Sequence, residues 1–495
     1  MSEHGDDALG NDGGSGGDAE DTAADAGLSE ERSPGERSPG EPGPAPAPEA
    51  AVGIQETETP EFVAVAVPEI AVRWNQDLAP TLRECVDEHG RPERDDLVAE
   101  LPGLWQRVDS ALQRLGPGCL VTESVRYDAF EGWQVAALPR YDLEGGIEFH
   151  DRREVAPAPR DRRALVQALV DAVAERPCLD LRDALQLLGV FAGTFPPGLD
   201  AVCHRLLGHD LRQGVAAGMA PLHEALARRA PDRVSATCYQ ESAVGSRKAK
   251  GDPGTDNEDA AGAGRGASGT VRCAVFDGVT GDGDGSGRIA ARAALRQAER
   301  FWWLEDDLPP QQLVDELDAS VGRATETGSA AAVLATVRPD GTAGLVSVGD
   351  AEAWLVRPLR GPAPGGPAPR ELPYAAWKLT PAHTGYAERL RVSPHAHGDG
   401  SALVNYLGNG PGRWTQTTVA LAPGDLLLLA SDGATEPERD RWFGAVLAEL
   451  AAKLEESGRP LAPALAAALV QRAEALGGWD NATALVCGIG EAKDV

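Results

Sequence analysis

Between residue 233 and the end of the chain, short apolar runs repeatedly stop at an acidic residue next to a glycine. The run from Val271 to Phe276 leads into Asp277-Gly278, and the run from Leu426 to Ala430 leads into Ser431-Asp432-Gly433. Asp480-Asn481 stands just ahead of a third run, Ala482 to Cys487, and Asn257-Glu258-Asp259 is a fourth acidic cluster. A carboxylate beside glycine at a strand end lies at the rim of a sheet, where the missing side chain lets a cation or a phosphate reach the backbone. One Asp-Gly pair is ordinary turn chemistry. Several converging strand ends instead make an all-oxygen cluster, the donor set of hard dications such as Mg²⁺ or Mn²⁺; zinc would call for His or Cys. Two such ions can share a water, lower its pKa and clamp a phosphoryl group for in-line attack.

The same region alternates short strands with Ala-rich helices. Strands are expected at 234–243, 271–276, 331–337, 344–348, 351–356, 375–379, 417–421, 426–430 and 482–487, and helices at 289–304, 311–325, 441–456 and 463–476. Hairpin spacing with few β-α-β crossovers predicts an α+β class, with antiparallel sheets carrying helices on their faces.

Two further regions precede it. Residues 1–60 are a low-complexity tail in which Gly and Pro fill 18 positions and ERSPG occurs twice in tandem. Large apolar residues are limited to Leu9, Leu28, Val52 and Ile54, so nothing offsets the entropy of ordering the backbone, and disorder is expected. A solvating linker explains the tail; Ser33 and Ser38, each followed by Pro, also allow a phosphorylatable or partner-binding one. Residues 61–232 read as an α-rich module. Apolar residues from Val98 to Leu115 recur at three and four, and Leu165, Leu169 and Val173 repeat the pattern with Asp161 as the expected N-cap. Helices are also expected at 181–192 and 198–207, and strands at 120–127 and 133–138 around a turn at Glu131-Gly132. The segment from Phe195 to Leu207 faintly resembles the last helices of a protein-kinase C-lobe. Without HRD, DFG or a Gly-rich loop, kinase chemistry is excluded, leaving a degenerate kinase-like or other regulatory module.

Charge removes other classes. The chain has 77 acidic against 46 basic residues, a formal net charge of −31. Such a chain lacks the basic footprint for nucleic acid and is repelled by anionic lipid. No stretch reaches the roughly 18–20 apolar residues that span a bilayer, and MSEHGDDALG has no signal-peptide pattern. Seven cysteines, an odd number with no CxxC pair, read as small buried thiols rather than a disulfide framework or a zinc site. A cytoplasmic location is expected.

The acidic clusters belong to a longer series. Glu258-Asp259, VFDG (275–278), Gly328-Ser329, SVGD (347–350), LTPAH (379–383), NYLG (405–408), GDLLLLASDG (424–433) and WDNAT (479–483) occur in the motif order of the type 2C metal-dependent serine/threonine protein phosphatases. The chain resembles that family over 233–491, a little over half its length. The resemblance implies two antiparallel sheets sandwiched between helices, with a dinuclear Mg²⁺ or Mn²⁺ site in the cleft. It implies that Asp277 bridges both ions, that the Gly278 carbonyl binds one, and that Asp432 and Asp480 complete the set. Glu258 resembles the acid that binds metal through water, with Asp259 its neighbour, and Asp350 the ligand of a weaker third metal. The attacking group would be the water bridging the two ions, so no phosphoenzyme is expected.

There are departures. The family's phosphate-gripping Arg, four residues before the motif Glu, is replaced by Gly254, and Arg247, Lys248 or Lys250 of the SRKAK run are candidate substitutes. DGMGG becomes DGVTG, followed by DGDGSG (282–287), read as a flexible loop because its glycines miss the GxGxxG spacing and Ala293 stands where a calcium loop needs Glu. Ala-Glu follows SVGD where Ser-Arg is usual, and His395 and His397 fall in a variable flap, where exposed histidines are expected. The expected function is hydrolysis of phosphoserine and phosphothreonine in proteins phosphorylated by a serine/threonine kinase. The alternative is a catalytically weak phosphatase-like regulatory module that binds a phosphoprotein.

Overall fold

The computed structural model describes residues 94–128, 132–135, 156–208, 211, 214–228, 233–246, 248, 257–281, 285–304, 308–359, 373–396, 402–410, 412–435 and 442–492. The acidic tail, Cys85, Arg247, Lys250, Gly254, the turn at Glu131, the run 282–284 and His397 lie outside these residues.

Runs of apolar residues that hide both faces must become central strands, and those that alternate must lie at edges. Leu426–Ala430 (LLLLA), buried at every position, occupies the middle of a sheet, whereas Val234–Ala243, mostly exposed beyond Ala236, lies at a sheet edge. In chain order the strands here are β3 (Val234–Ala243), β4 (Ala260–Arg265), β5 (Val271–Val279), β6 (Ser329–Val337), β7 (Thr342–Val348), β8 (Glu352–Pro358), β9 (Tyr374–Lys378), β10 (Thr415–Ala420), β11 (Leu426–Ala430) and β12 (Ala482–Glu491). They form two five-stranded antiparallel sheets, ordered β10-β7-β6-β5-β4 and β3-β12-β11-β8-β9.

Each sheet carries a pair of helices on its outer face. Small residues allow the close approach: Ala290, Ala291, Ala294 and Ala298 of α6 (Ser286–Leu304), with Val314, Leu317 and Val321 of α7 (Pro310–Ala324), cover Ala274, Phe276 and Leu334. On the other sheet α9 (Phe443–Glu456) and α10 (Leu461–Ala475) cover Trp354, Leu428, Ala484 and Val486. The result is a helix-sheet-sheet-helix sandwich, as the sequence predicts. Among the described residues no helix is long and apolar enough to cross a membrane.

Ahead of the sandwich, α1 (Arg94–Leu115), the hairpin β1 (Val125–Asp128) and β2 (Gly132–Val135), α2 (Pro159–Val173), α3 (Leu181–Phe191), α4 (Leu199–Gly208) and α5 (Val215–Leu226) form a helical segment. Its helix starts are fastened by aspartates. Asp109 of α1 accepts from Val215 N at 2.7 Å and Ala216 N at 3.0 Å, holding the free amides of α5 where Gly214 offers no side chain. Asp161 is the third residue of α2, not its N-cap: Ala158 precedes the helix, and the Asp161 carboxylate turns back to Ala158 N, Gly118 N and Leu120 N. Asp180 does cap α3, through Asp183 N at 2.9 Å.

The core of this segment is continuous with the core between the sheets; one cluster runs from Leu104 and Trp105 through Val202 and Leu206 to Trp377, Leu427 and Leu485. Two polar contacts fasten the junction. Arg357 of β8, 2% exposed, donates to both carboxylate oxygens of Asp425 at 2.9 and 2.6 Å, to Ala225 O of α5 and to Ala420 O of β10, and lies over the Trp377 ring. Asp200 of α4 accepts from Lys378 N at 2.8 Å, on the open side of edge strand β9.

One cysteine expectation fails. Cys238 and Cys487 are a register pair of β3 and β12, Cα atoms 4.0 Å apart, and form a disulfide; the other described cysteines, Cys119, Cys178, Cys203 and Cys273, form none. A cross-strand pair on one face leaves the sulfurs adjacent, and a separation of 249 residues hides that register from sequence inspection.

Arg357→Met should destabilise the chain by about 3–5 kcal/mol in urea unfolding, because Asp425 is left buried and unpaired. The double variant Arg357→Met/Asp425→Leu should recover most of that loss; no recovery would mean that the pair is not the source of the effect. A second prediction follows from Asp200, whose carboxyl burial lifts to about 7 against the opposing amide bonds from Lys378 and Ala201. The folded chain then keeps a proton that the unfolded chain releases near pH ~4, so the stabilisation is complete at acid pH and is lost as pH rises through about 7. Asp200→Asn should flatten the fall in melting temperature between pH 5 and 8. An unchanged slope would show that another group is responsible.

Candidate metal centre

Antiparallel pairing decides where the acidic clusters meet. The C-terminal end of β5 lies beside the start of β4 (Phe276 opposite Ala260) and beside the start of β6, and β7 also ends on that side. In the other sheet the end of β11 lies beside the starts of β12 and β8, and β3 ends opposite the start of β12. Glu258, Asp259, Asp277 and Asp350 are therefore presented by one sheet, and Asp432, Asp480 and Lys248 by the other.

Hydrogen bonds across the gap join the two sets. Ser431 Oγ donates to Asp259 Oδ2 at 2.8 Å and accepts from Thr483 N at 2.9 Å; Glu258 N donates to Asn481 Oδ1 at 3.1 Å. Lys248 Nζ lies 2.6 Å from Glu258 Oε2 and 3.7 Å from Asp480 Oδ1, and Thr280 Oγ donates to the other Glu258 oxygen. Ser431, Asn481 and Asp480 come from motifs visible in the sequence; the roles of Thr280 and Thr483 were not legible there.

Gly278 sits where two chains converge. A Cβ there would fall 2.4 Å from Glu258 O and 2.5 Å from Gly287 O, so only glycine fits. Gly349, beside Asp350, has φ +89 and would set a Cβ 2.5 Å from that of Ala331.

The electrostatics are those of crowded acids. Desolvation, followed by the charges of Asp259, Asp432, Asp350 and Asp480, holds Asp277 well above the usual carboxylate range. Desolvation and then Asp432 do the same to Asp350. Burial lifts Asp259 to about 7, opposed by bonds from Thr483 and Ser431. Desolvation lowers Lys248, but its bond to Glu258 and the charges of Asp480 and Asp277 raise it further, so it stays protonated.

These residues fit a hard cation. The donors are all oxygen, the carboxylates repel one another, and Asp259 Oδ1 is buried with no hydrogen-bond partner. As a set they stand wider than a closed cage. Among the described residues, three or more metal-type donors lie within 4.8 Å of one another at the sulfurs of Cys238, Cys273 and Cys487, two of which are joined to each other. Arg247 and Lys250 fall outside the described residues. His395 is no part of the cluster and lies 3.3 Å from Asp180.

Mn²⁺ at a hundredfold excess over its Kd should stabilise the chain by about 2.7 kcal/mol per site. Asp277→Asn should raise the melting temperature in chelator, by relieving repulsion, and remove most of the Mn²⁺ shift. A lower melting temperature in chelator would contradict this reading of the charges.

No protein-family model matches the sequence, and no curated protein matches it. Solved structures do. The catalytic domain of the serine/threonine protein phosphatase PstP, in complex with two manganese ions, aligns at 21% identity and TM-score 0.37 over 52% of this chain and 100% of that one. A serine/threonine phosphatase of S. agalactiae aligns at 17% and 0.39 over 51% and 99%. PppA, a regulatory component of the type VI secretion system of Pseudomonas aeruginosa, aligns at 20% and 0.36 over 52% and 98%. Over about half its length, the chain is similar to phosphatase domains of this type.

Proposed function

We propose that the chain is a metal-dependent phosphatase that hydrolyses phosphoserine and phosphothreonine in proteins. The observation that carries this reading is the convergence of eight strand ends from two sheets, which brings six acids from five segments, and one lysine, to a single rim. Asp277, Asp432 and Asp480, with the Gly278 carbonyl, would hold two Mg²⁺ or Mn²⁺ ions, and Asp350 a third. Bound there, the ions would acidify a shared water and neutralise the phosphoryl oxygens for in-line displacement.

The chain's own groups have separate tasks. Ser431 and Thr483 orient Asp259, and Thr280 orients Glu258. Lys248 offers an ammonium at the mouth of the cluster, in a sequence that has Gly254 in place of the family's arginine. It can release Glu258 to grip a phosphate oxygen of the substrate.

The same lysine favours a second reading. By pairing with Glu258 it already supplies a positive charge within the cluster, which suits a module that binds phosphoprotein and turns over slowly. Hydrolysis of p-nitrophenyl phosphate separates the two. Turnover should vanish in EDTA and return with Mn²⁺, and Asp432→Asn should lower kcat by on the order of 10³ with the fold intact. Activity that persists in chelator would sink the metal reading. Lys248→Met should raise KM for a phosphopeptide by about tenfold, the size of one charge-assisted phosphate contact. An unchanged KM with tighter Mn²⁺ binding would make Lys248 a counter-charge instead.

A further inference from the structure

We infer that His383 is a positioning residue for Asp350: it holds the turn that presents this carboxylate to the cluster. The inference rests on the metal-dependent reading above only in the use it assigns to Asp350.

His383 ends the LTPAH segment, 34 residues after Gly349, and takes up both backbone polar groups of that glycine. Gly349 N donates to His383 Nδ1 at 3.1 Å, and His383 N donates to Gly349 O at 2.9 Å. With Nδ1 accepting, the ring proton lies on Nε2, which faces Thr415 Oγ at 2.9 Å, and Val404 N donates to His383 O. The residue is therefore anchored through both ring nitrogens, its amide and its carbonyl, and it is only 9% exposed.

The turn it holds is a demanding one. Gly349 adopts a positive φ that other residues resist, and the adjoining Asp350 is a buried carboxyl crowded by the charges of Asp432 and Glu352, with Lys378 acting against them. Burial, and next the charge of Arg413, keep the ring neutral, with its pKa down at about 4, so Nδ1 remains an acceptor at physiological pH.

The segments on either side of His383 are themselves gripped by the helical segment. Ala382 N reaches Val190 O of α3 at 3.4 Å. Thr384 caps α8 (Gly385–Val392), whose Leu390 O accepts from Arg176 at 2.9 Å and whose Arg391 lies over the Phe191 ring. His383 thus stands between the helical segment and the carboxylates, fixed from the first and acting on the second.

Two measurements on the full chain test this. In metal-free protein, hydrogen exchange of the 347–352 backbone should be faster in His383→Ala than in wild type. In Mn²⁺ calorimetry, His383→Ala should weaken the loosest Mn²⁺ site by about tenfold or more, the usual cost of losing a group that orients a ligand, and leave tighter sites unchanged. His383→Asn, whose Oδ1 can replace the Nδ1 acceptor, should recover most of both effects. Unchanged exchange in a folded His383→Ala, or an Asn variant as impaired as the Ala one, would overturn the inference. Should wild type bind no Mn²⁺, the metal reading fails, and the exchange data still decide the role of His383.

Discussion

Five aspartates and a glutamate can share one rim only if the strands beneath them cannot slide apart. Their charges push outward; what resists is the pairing register and the dry interior below it. Asp277 and Asp432 are held by β5 and β11, both buried on nearly every residue, so neither carboxylate can retreat without dragging a core strand out of place. The hydroxyl of Ser431 and the amide of Asn481 then tie one sheet to the other within the cluster itself. Position here is imposed by rigidity, and the elevated carboxyl pKa values are its electrostatic cost.

Much of this was legible in the residues. Aspartate-glycine pairs at the ends of apolar runs located the rim, and the order of the motifs gave two antiparallel sheets between helices. What escaped has physical causes. Strand β4, AAGAGR, has no β-branched or aromatic residue, and it exists because β5 offers it a partner. The helix α5 depends on an aspartate over a hundred residues earlier for its first amides. Asp161 carries an N-cap signature but serves one turn further in, collecting three amides from two segments. Lys248 reads as part of a basic surface run, and only the return of β3 to the rim places it against Glu258. The Cys238–Cys487 pairing, likewise, is a fact of register.

The helical segment changes character once its contacts are seen. In composition it is a separate α-rich stretch; in packing, its apolar face is part of the interior of the sandwich. Arg357 reaches a carbonyl of α5, and Asp200 satisfies an edge amide of β9 that sheet pairing leaves open. A segment held through buried polar contacts of this kind cannot move without disturbing the strands that carry the acids.

The placement of β3 bears on how such a chain is made. This strand, the first of the sandwich, hydrogen-bonds within its sheet to β12 alone, and β12 is the last strand described. During synthesis β3 must wait, unpaired, while roughly 240 further residues emerge, and the apolar face of the helical segment waits with it. The sheet that carries Asp432 and Asp480 therefore closes only when the distal strand arrives, and until then the nascent chain presents an open edge that a chaperone, or a second nascent copy, can reach.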